Sequence, residues 1–296
     1  MKISIIVTTV RLGGLDVLID GLYNQTFKDW ELVLVDDYYP LRREVLTSRW
    51  IDRGLSPDRL KYVPPRKRLD YYDACNACNT ALEYVTGELV VQFTDYLWPA
   101  PTCLERHWDI YTRFPGYSMM GYLDRYPFPQ LKDLRGGGEE GIYYSTFKNE
   151  WALHVAIPYF NNVVPEYQER KGFYVGEEMG DRLYELTGTL FYLGLNESFP
   201  FAVLDKLNGW DERYDGGRGS SDIDIGIRAN ILGHKFITNL SALNYKFGTH
   251  DSSQGIPGFK KEKLRTSDDN TKLLNARIKR MNEGEDIATP KGFGRL

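Results

Sequence analysis

The first strong pattern along the chain is a run without helical period. Ile3-Ser-Ile-Ile-Val-Thr-Thr9 is β-branched apart from Ser4 and predicts a buried strand of the kind that populates parallel sheets. Leu15, Leu18, Ile19 and Leu22 then recur at i, i+3, i+4 and i+7, one face of a helix over 15–23. Glu31-Leu-Val-Leu-Val35 follows as a second strand running into Asp36-Asp37. Strand, helix and strand within the first 37 residues predict a βαβ unit with a right-handed crossover. The pattern returns at 73–86, helical and closed by Gly87, and at Glu88-Leu-Val-Val-Gln-Phe93, a strand running into Thr94-Asp95. Ligands of open parallel sheets lie off the carboxyl ends of the strands, so Thr8, Thr9, Asp36, Asp37, Thr94 and Asp95 are expected to converge on one crevice.

Order weakens between residues 121 and 195, where Tyr126-Pro-Phe-Pro129 and Gly136-Gly-Gly138 punctuate an aromatic-rich stretch. An insertion of this kind beside a ligand crevice often carries a second substrate. Helical patterning resumes at 202–207, followed by a turn at Asn208-Gly209, a glycine-rich loop and a helix over 223–232. Residues 258–296 hold ten Lys or Arg against six Asp or Glu, a local net of +4 in a chain whose total is −4. Thr266-Ser-Asp-Asp269 is a helix start, and Leu273, Leu274, Arg277, Ile278 and Met281 form an apolar stripe under a basic face. Docking on the body and contact with a polyanion or membrane surface are both open to such a tail.

Composition narrows the classes. With 296 residues, 42% apolar and 26% charged, the chain is a folded protein able to bury a large core, and disordered, collagenous and low-complexity classes are excluded. The overall charge gives no general pull toward nucleic acid or anionic membranes. Three cysteines, Cys75, Cys78 and Cys103, suit a reducing compartment, and Met1 to Val10 is too short for a signal core, so a cytoplasmic protein is expected, peripheral at most to a membrane. No run reaches the roughly 20 apolar residues of an integral segment. The 21 Tyr, 14 Phe and 6 Trp supply faces on which sugar and base rings can stack.

Several common sites are absent. No GxGxxG follows the first strand and no GxxxxGK[ST] occurs, and Gly136-Gly-Gly138 precedes Glu139-Glu140, the wrong charge for phosphate. Cys75-Asn-Ala-Cys78 has no second CxxC and is expected inside a helix, where packing explains it. GxSxG is missing.

What remains is specific. Ser4-Ile-Ile-Val-Thr-Thr9, Gln25-Thr-Phe-Lys-Asp-Trp-Glu-Leu-Val-Leu-Val-Asp-Asp37, Ala77-Cys-Asn-Thr-Ala81 and Gly87-Glu-Leu-Val-Val-Gln-Phe-Thr-Asp95 occur in this order and spacing. Asn208-Gly-Trp-Asp-Glu-Arg-Tyr214 and Ser221-Asp-Ile-Asp-Ile-Gly-Ile-Arg228 with Gly233 follow. Together they resemble the family 2 glycosyltransferases of the GT-A fold, the last two matching the family's GGFDE and EDxDLxxR segments. The resemblance implies an α/β fold with a mostly parallel twisted sheet flanked by helices, an acceptor-side insertion and a C-terminal helical tail. It divides the chain into a catalytic domain over 1–257, with a nucleotide-sugar half at 1–123 and an acceptor half at 124–257, and the extension 258–296.

The resemblance also implies an inverting transfer from a nucleotide diphosphate sugar, a UDP-sugar first, to a glycan, lipid-linked or protein acceptor; a DNA acceptor is the minority case raised by the tail and the aromatics. Asp37 matches the carboxylate that meets the donor base, Asp95 the one facing ribose, pyrophosphate and metal, and Asp222 the general base. Thr8 and Thr9 belong to the donor site, and His250 falls where such enzymes place a metal-ligating histidine. A divalent cation, Mn²⁺ or Mg²⁺, is implied with them. The chain departs from the family at Val10-Arg11 in place of Tyr-Asn, at Tyr96 and Leu97 in place of aspartates, and at Ser221 in place of an acid. Three outcomes fit those departures: a weakly held metal, a metal-independent enzyme in which Arg11, Arg66 or Arg218 meets the diphosphate, or a module that binds a nucleotide sugar, glycan or partner without turnover.

Overall fold

A computed structural model describes residues 1–10, 15–67, 69–71, 73–95, 97–125, 176–178, 183–186, 196–246 and 266–284. Its strands are β1 (Ile3–Thr9), β2 (Trp30–Asp36), β3 (Leu60–Val63), β4 (Leu89–Thr94), β5 (Leu97–Pro99), β6 (Tyr117–Arg125), β7 (Gly176–Glu178), β8 (Leu183–Leu186), β9 (Asn196–Pro200) and β10 (Lys235–Lys246). Its helices are α1 (Leu15–Tyr23), α2 (Tyr39–Asp52), α3 (Ala74–Leu82), α4 (Cys103–Arg113), α5 (Phe201–Lys206), α6 (Ser221–Ile231) and α7 (Ser267–Asn282).

The strands form one sheet in the order β3-β2-β1-β4-β9-β6-β10-β8-β7, with β5 pairing β10 off this path. β1 pairs parallel with both β2 and β4, β2 with β3, and β6 with β10. β9 lies antiparallel between β4 and β6, so both groups point their carboxyl ends the same way and the expected mostly parallel sheet is present.

Period-two alternation divides the core into two layers. Ile3, Ile5 and Val7 of β1, Leu32 and Leu34 of β2, and Leu89, Val91 and Phe93 of β4 pack on one face with Leu15, Leu18 and Leu22 of α1, Trp50 of α2 and Leu104 of α4. Ile6, Val33, Val35 and Val90 take the other face with Cys75, Cys78 and Leu82 of α3, Ile225 and Ile227 of α6, and Leu274 of α7. The second layer carries the elements around Asp222.

β1, α1, β2 and β4 fall within a residue of the sequence reading, whereas α3 starts at Ala74 and ends at Leu82 rather than spanning 73–86. The backbone N–H of Thr86 donates to the Glu31 carboxylate at 2.8 Å and that of Gly87 to Ser4 Oγ at 2.8 Å, which peels the last turn toward β1. A Cβ on Gly87 would stand 2.6 Å from the Ser4 nitrogen, so the closing glycine is demanded by close approach. The tail forms the predicted helix: Thr266 caps α7 in a reciprocal box with Asp269, and α7 docks on the body through Leu274, Asn270 and Arg277.

Candidate active site

β1, β2 and β4 end side by side. Thr9 Oγ1 donates to Asp95 Oδ2 at 2.6 Å, and the Asp37 N–H donates to the Thr9 carbonyl at 3.2 Å. Thr9, Asp37 and Asp95 are thereby drawn together, as the topology requires, and Thr8, half-buried beside them, is hydrogen-bonded to the Cys78 thiol of α3. Asp36 behaves differently from its neighbour. Wholly buried, it accepts from Arg42 Nη2 at 2.6 Å and the Tyr38 N–H at 2.8 Å, and also from Arg42 Nε and the Tyr62 hydroxyl. Burial beside that carboxylate pushes the Tyr62 hydroxyl far above the usual tyrosine range. Asp36 therefore ties the end of β2 to α2 and β3, while the Asp37 backbone is joined to the end of β1.

The second wall is the loop between Asp211 and α6. The short turn Asn208-Gly-Trp210 is stitched to α3 by a two-way amide bond: Asn79 Nδ2 donates to the Trp210 carbonyl at 2.9 Å and the Trp210 N–H to Asn79 Oδ1 at 2.8 Å. Gly209, at φ 71°, is required there, since a Cβ would lie 2.2 Å from Asn79 Oδ1. Further along, the Asp215 carboxylate accepts the N–H groups of Cys75 at 2.8 Å and Asn76 at 2.9 Å in the first turn of α3. Gly219 at φ 81° and Ser220 at φ 70° swing the chain into α6. Asp222 then stands in the first helical turn, half-buried, and burial raises its proton affinity above the ordinary aspartate. Ser221 beside it is hydrogen-bonded to the Cys75 thiol. The first turn of α3 thus touches the loop of Asp222 through Cys75 and Asn76, and its second turn packs under β1 through Cys78.

The basic candidates separate. The guanidinium of Arg66 is paired with Glu83 at 3.3 Å and with Glu212, which also takes Lys67 at 3.0 Å. Arg218 is half-buried in the glycine-rich loop. Arg11, Arg68, Tyr96 and His250 lie outside the described residues. Cys78 lies inside α3 as expected, whereas Cys75 sits in its first turn, because α3 begins at Ala74; both are buried, and burial pushes their thiols up, so they are protonated packing groups. Among the described residues no group of three or more His, Cys, Asp or Glu is arranged to hold a metal, and no helix is long and apolar enough to cross a membrane. Asp95 is the one described carboxylate among those expected to meet a cation, and one or two carboxylates completed by substrate phosphates is a usual site for Mg²⁺.

The sequence profile of glycosyl transferase family 2 matches residues 4–162, more than half of the chain and the whole β1-to-β4 wall. The chain belongs to glycosyl transferase family 2. Among solved structures, this family 2 chain is similar to the mannosyltransferase PcManGT from Pyrobaculum calidifontis in complex with GDP-Man and Mn²⁺, at 17% identity and TM-score 0.54, covering 85% of this chain and 58% of that one. It is also similar to S. aureus TarS 1-349 in complex with UDP-GlcNAc, at 15% identity and TM-score 0.55, over 94% of this chain and 66% of that one. At these identities the likeness shows a shared GT-A fold, and the chain spans about three fifths of the length of PcManGT. No curated protein matches it.

Sequence reasoning missed the residues that hold the site together. Nothing local distinguishes Asp36 from Asp37 or gives Asp215 a partner at Cys75, 140 positions away. Asn270 was within reach, because it precedes Leu273, Leu274 and Arg277 on the face that the periodicity buries.

Asp215 makes a pH prediction. Burial, with Asp73 close by, outweighs its two amide bonds and pushes its carboxyl up to about 7. Between about pH 4 and 7 the native chain therefore binds more protons than the unfolded chain at this group, and stability from it falls as pH rises. The buried His107 and His234, pushed down to about 4, act in the opposite sense as pH rises from about 4 to 6.5. Comparison with Asp215→Asn cancels them. The melting temperature of the variant, relative to the parent, is expected to rise by on the order of 5 °C between pH 5 and pH 8. An offset independent of pH would show an ordinary aspartate at this position.

Proposed function

We propose that the chain transfers a sugar from a nucleotide diphosphate donor to an acceptor hydroxyl with inversion, Asp222 serving as general base. The observation that carries this reading is that Thr9 Oγ1 holds Asp95 at 2.6 Å where β1 and β4 end, while Asp215, in the loop before Asp222, accepts the N–H groups of Cys75 and Asn76 at 2.8 and 2.9 Å at the start of α3, whose other residues pack under β1. Asp37 accepts a hydrogen bond from the donor base, and Asp95, steadied by Thr9, faces the ribose and pyrophosphate. The acceptor oxygen attacks the anomeric carbon on the face opposite the diphosphate. Its proton passes to Asp222, and the electrons of the broken C–O bond leave with the nucleoside diphosphate. The burial that raises Asp222's proton affinity makes it a stronger base than an exposed aspartate.

The departing charge needs positive partners. Arg218 and Arg11 are the side chains proposed for it, and Arg66 contributes less because Glu212 and Glu83 already share it. Mn²⁺ or Mg²⁺ held by Asp95, with His250 as a further ligand, would neutralise the diphosphate; the Mn²⁺ and GDP-Man of PcManGT support that assignment. The complex of TarS with UDP-GlcNAc supports a UDP-sugar as donor. A glycan, lipid-linked or protein acceptor is favoured over DNA, because α7, the helix that suggested a polyanion, packs its Arg277 inward.

Thermal shift with UDP, GDP, dTDP and CMP and their common sugars, each with Mn²⁺, Mg²⁺ or EDTA, tests this. A ligand at 100 times its Kd stabilises by about 2.7 kcal/mol. A shift for one nucleotide class is the expected result. Dependence on the cation would assign it to Asp95, and persistence in EDTA would assign the diphosphate to arginine. No shift with any nucleotide would overturn the donor reading in favour of a glycan- or partner-binding module.

A further inference from the structure

We infer that the C-terminal helix α7 is a strap on the loop of Asp222, with Asn270 and Arg277 as positioning residues; this rests on the proposed role of Asp222. Asn270 is wholly buried, and its Nδ2 donates to the Tyr214 carbonyl at 3.0 Å and to the Gly219 carbonyl at 3.1 Å. Those two carbonyls stand at the two ends of Tyr214-Asp-Gly-Gly-Arg-Gly219, so one side chain closes the whole glycine-rich segment. Both acceptors fix which end of the amide faces the loop. Gly217 lies against Asn270 so closely that a Cβ there would be 3.1 Å from Nδ2, so the close seat of the loop on Asn270 leaves little room for a side chain at 217.

Two helical turns further on, Arg277 is 6% exposed and forms ion pairs with Asp211, ahead of the loop, and Asp224, two residues beyond Asp222. Four contacts from one helix therefore bracket the base at Asp211, Tyr214, Gly219 and Asp224. The bracket sits where the backbone needs it. Gly219 and Ser220 both adopt left-handed φ, and a non-glycine residue in that region persists only where its surroundings overdetermine it. A base must be placed closely to act, and a displacement of about 1 Å costs on the order of 10²-fold in rate.

The neighbouring charges make the role separable from folding. Asp224 is also paired with Arg228 at 2.8 Å and accepts from the Tyr214 hydroxyl at 3.0 Å, and Asp211 is also paired with Arg213. Loss of Arg277 leaves neither carboxylate without a cation, so the core under the loop is expected to survive while the loop loosens.

The test uses the full chain with Asn270→Asp, which removes the donor while keeping the shape, Arg277→Met, which keeps the apolar stem, and Asp222→Asn. Hydrogen exchange is followed by mass spectrometry, and release of UDP from UDP-GlcNAc and of GDP from GDP-mannose is measured across pH. In Asn270→Asp and Arg277→Met, amide exchange over 215–222 is expected to rise at least tenfold with β1, β2 and β4 unchanged. Nucleotide release should fall about 10²-fold in kcat with the donor KM within twofold. The acid limb of the pH profile should move down, because an opened loop returns Asp222 to water. Unchanged exchange over 215–222 in both variants, or a loss that appears in KM alone, would overturn the strap. Full turnover by Asp222→Asn would overturn the base assignment instead, and the exchange result would still judge the strap. Should Asn270→Asp fail to fold, Arg277→Met carries the decision.

Discussion

Replacing Asp222 by Asn is expected to lower kcat for sugar transfer by about 10²–10⁴-fold while leaving the donor Kd within about threefold. The amide is isosteric and can still accept the Ile223 N–H, which the carboxylate takes at 3.0 Å, so the start of α6 should be retained. Only the ability to take a proton is lost. The parent should lose activity as pH falls through the raised Asp222 pKa, giving an acid limb above the ordinary aspartate range, and that limb should be absent from the residual activity of the variant. Turnover by mass spectrometry and donor binding by calorimetry separate the two effects. A variant with full kcat would remove Asp222 from the chemistry.

The largest effect on stability is expected at Asp36→Asn, with a loss of about 3–5 kcal/mol in urea unfolding. Asp36 and Arg42 both have side chains wholly removed from solvent, and Arg42 is held charged by its partner despite that burial. An amide cannot neutralise the guanidinium, and it must also replace the acceptors used by Tyr62 and the Tyr38 N–H. The double variant Asp36→Leu/Arg42→Met should recover much of the loss, because no charge is then left unpaired. Equal losses in the single and double variants would mean that the pair matters through its hydrogen bonds and not through its charge.

These expectations mark how far the sequence reached. β1, α1 and β2 were legible because each is a dense apolar run with one clear period and a polar end. α2 was not, because Leu41 and Ile51 face solvent while Arg42 is buried, which erases the apolar stripe. β10 was hidden for a related reason: Thr238, Asn239 and Asn244 are buried along it, and a bulge between Asn239 and Leu243 breaks its alternation. The helical start at Thr266 was readable from the capping box, but not the surface it covers, because the carboxylates that receive Arg277 lie more than 50 residues away. Within the site, the strand ends were found through topology. The division of work between Asp36 and Asp37, and the anchoring of the Asp222 loop by Asp215 and Asn270, depend on contacts that only the folded chain makes.

The placement of β9 has a consequence for how the molecule is made. Residues 196–200 supply the strand that joins β4 to β6, although both of those strands are complete by residue 125. Until β9 arrives, each presents a row of open backbone donors and acceptors, and closing the sheet needs a pairing across a long stretch of chain. The family-matched segment 4–162 ends before both β9 and β10, so a nascent chain or a proteolytic fragment of that length would leave one edge of β4 and both edges of β6 open. The arrival of β9 thus covers the edge of β4 and one edge of β6 together, and β10 covers the other edge of β6 only later in the chain.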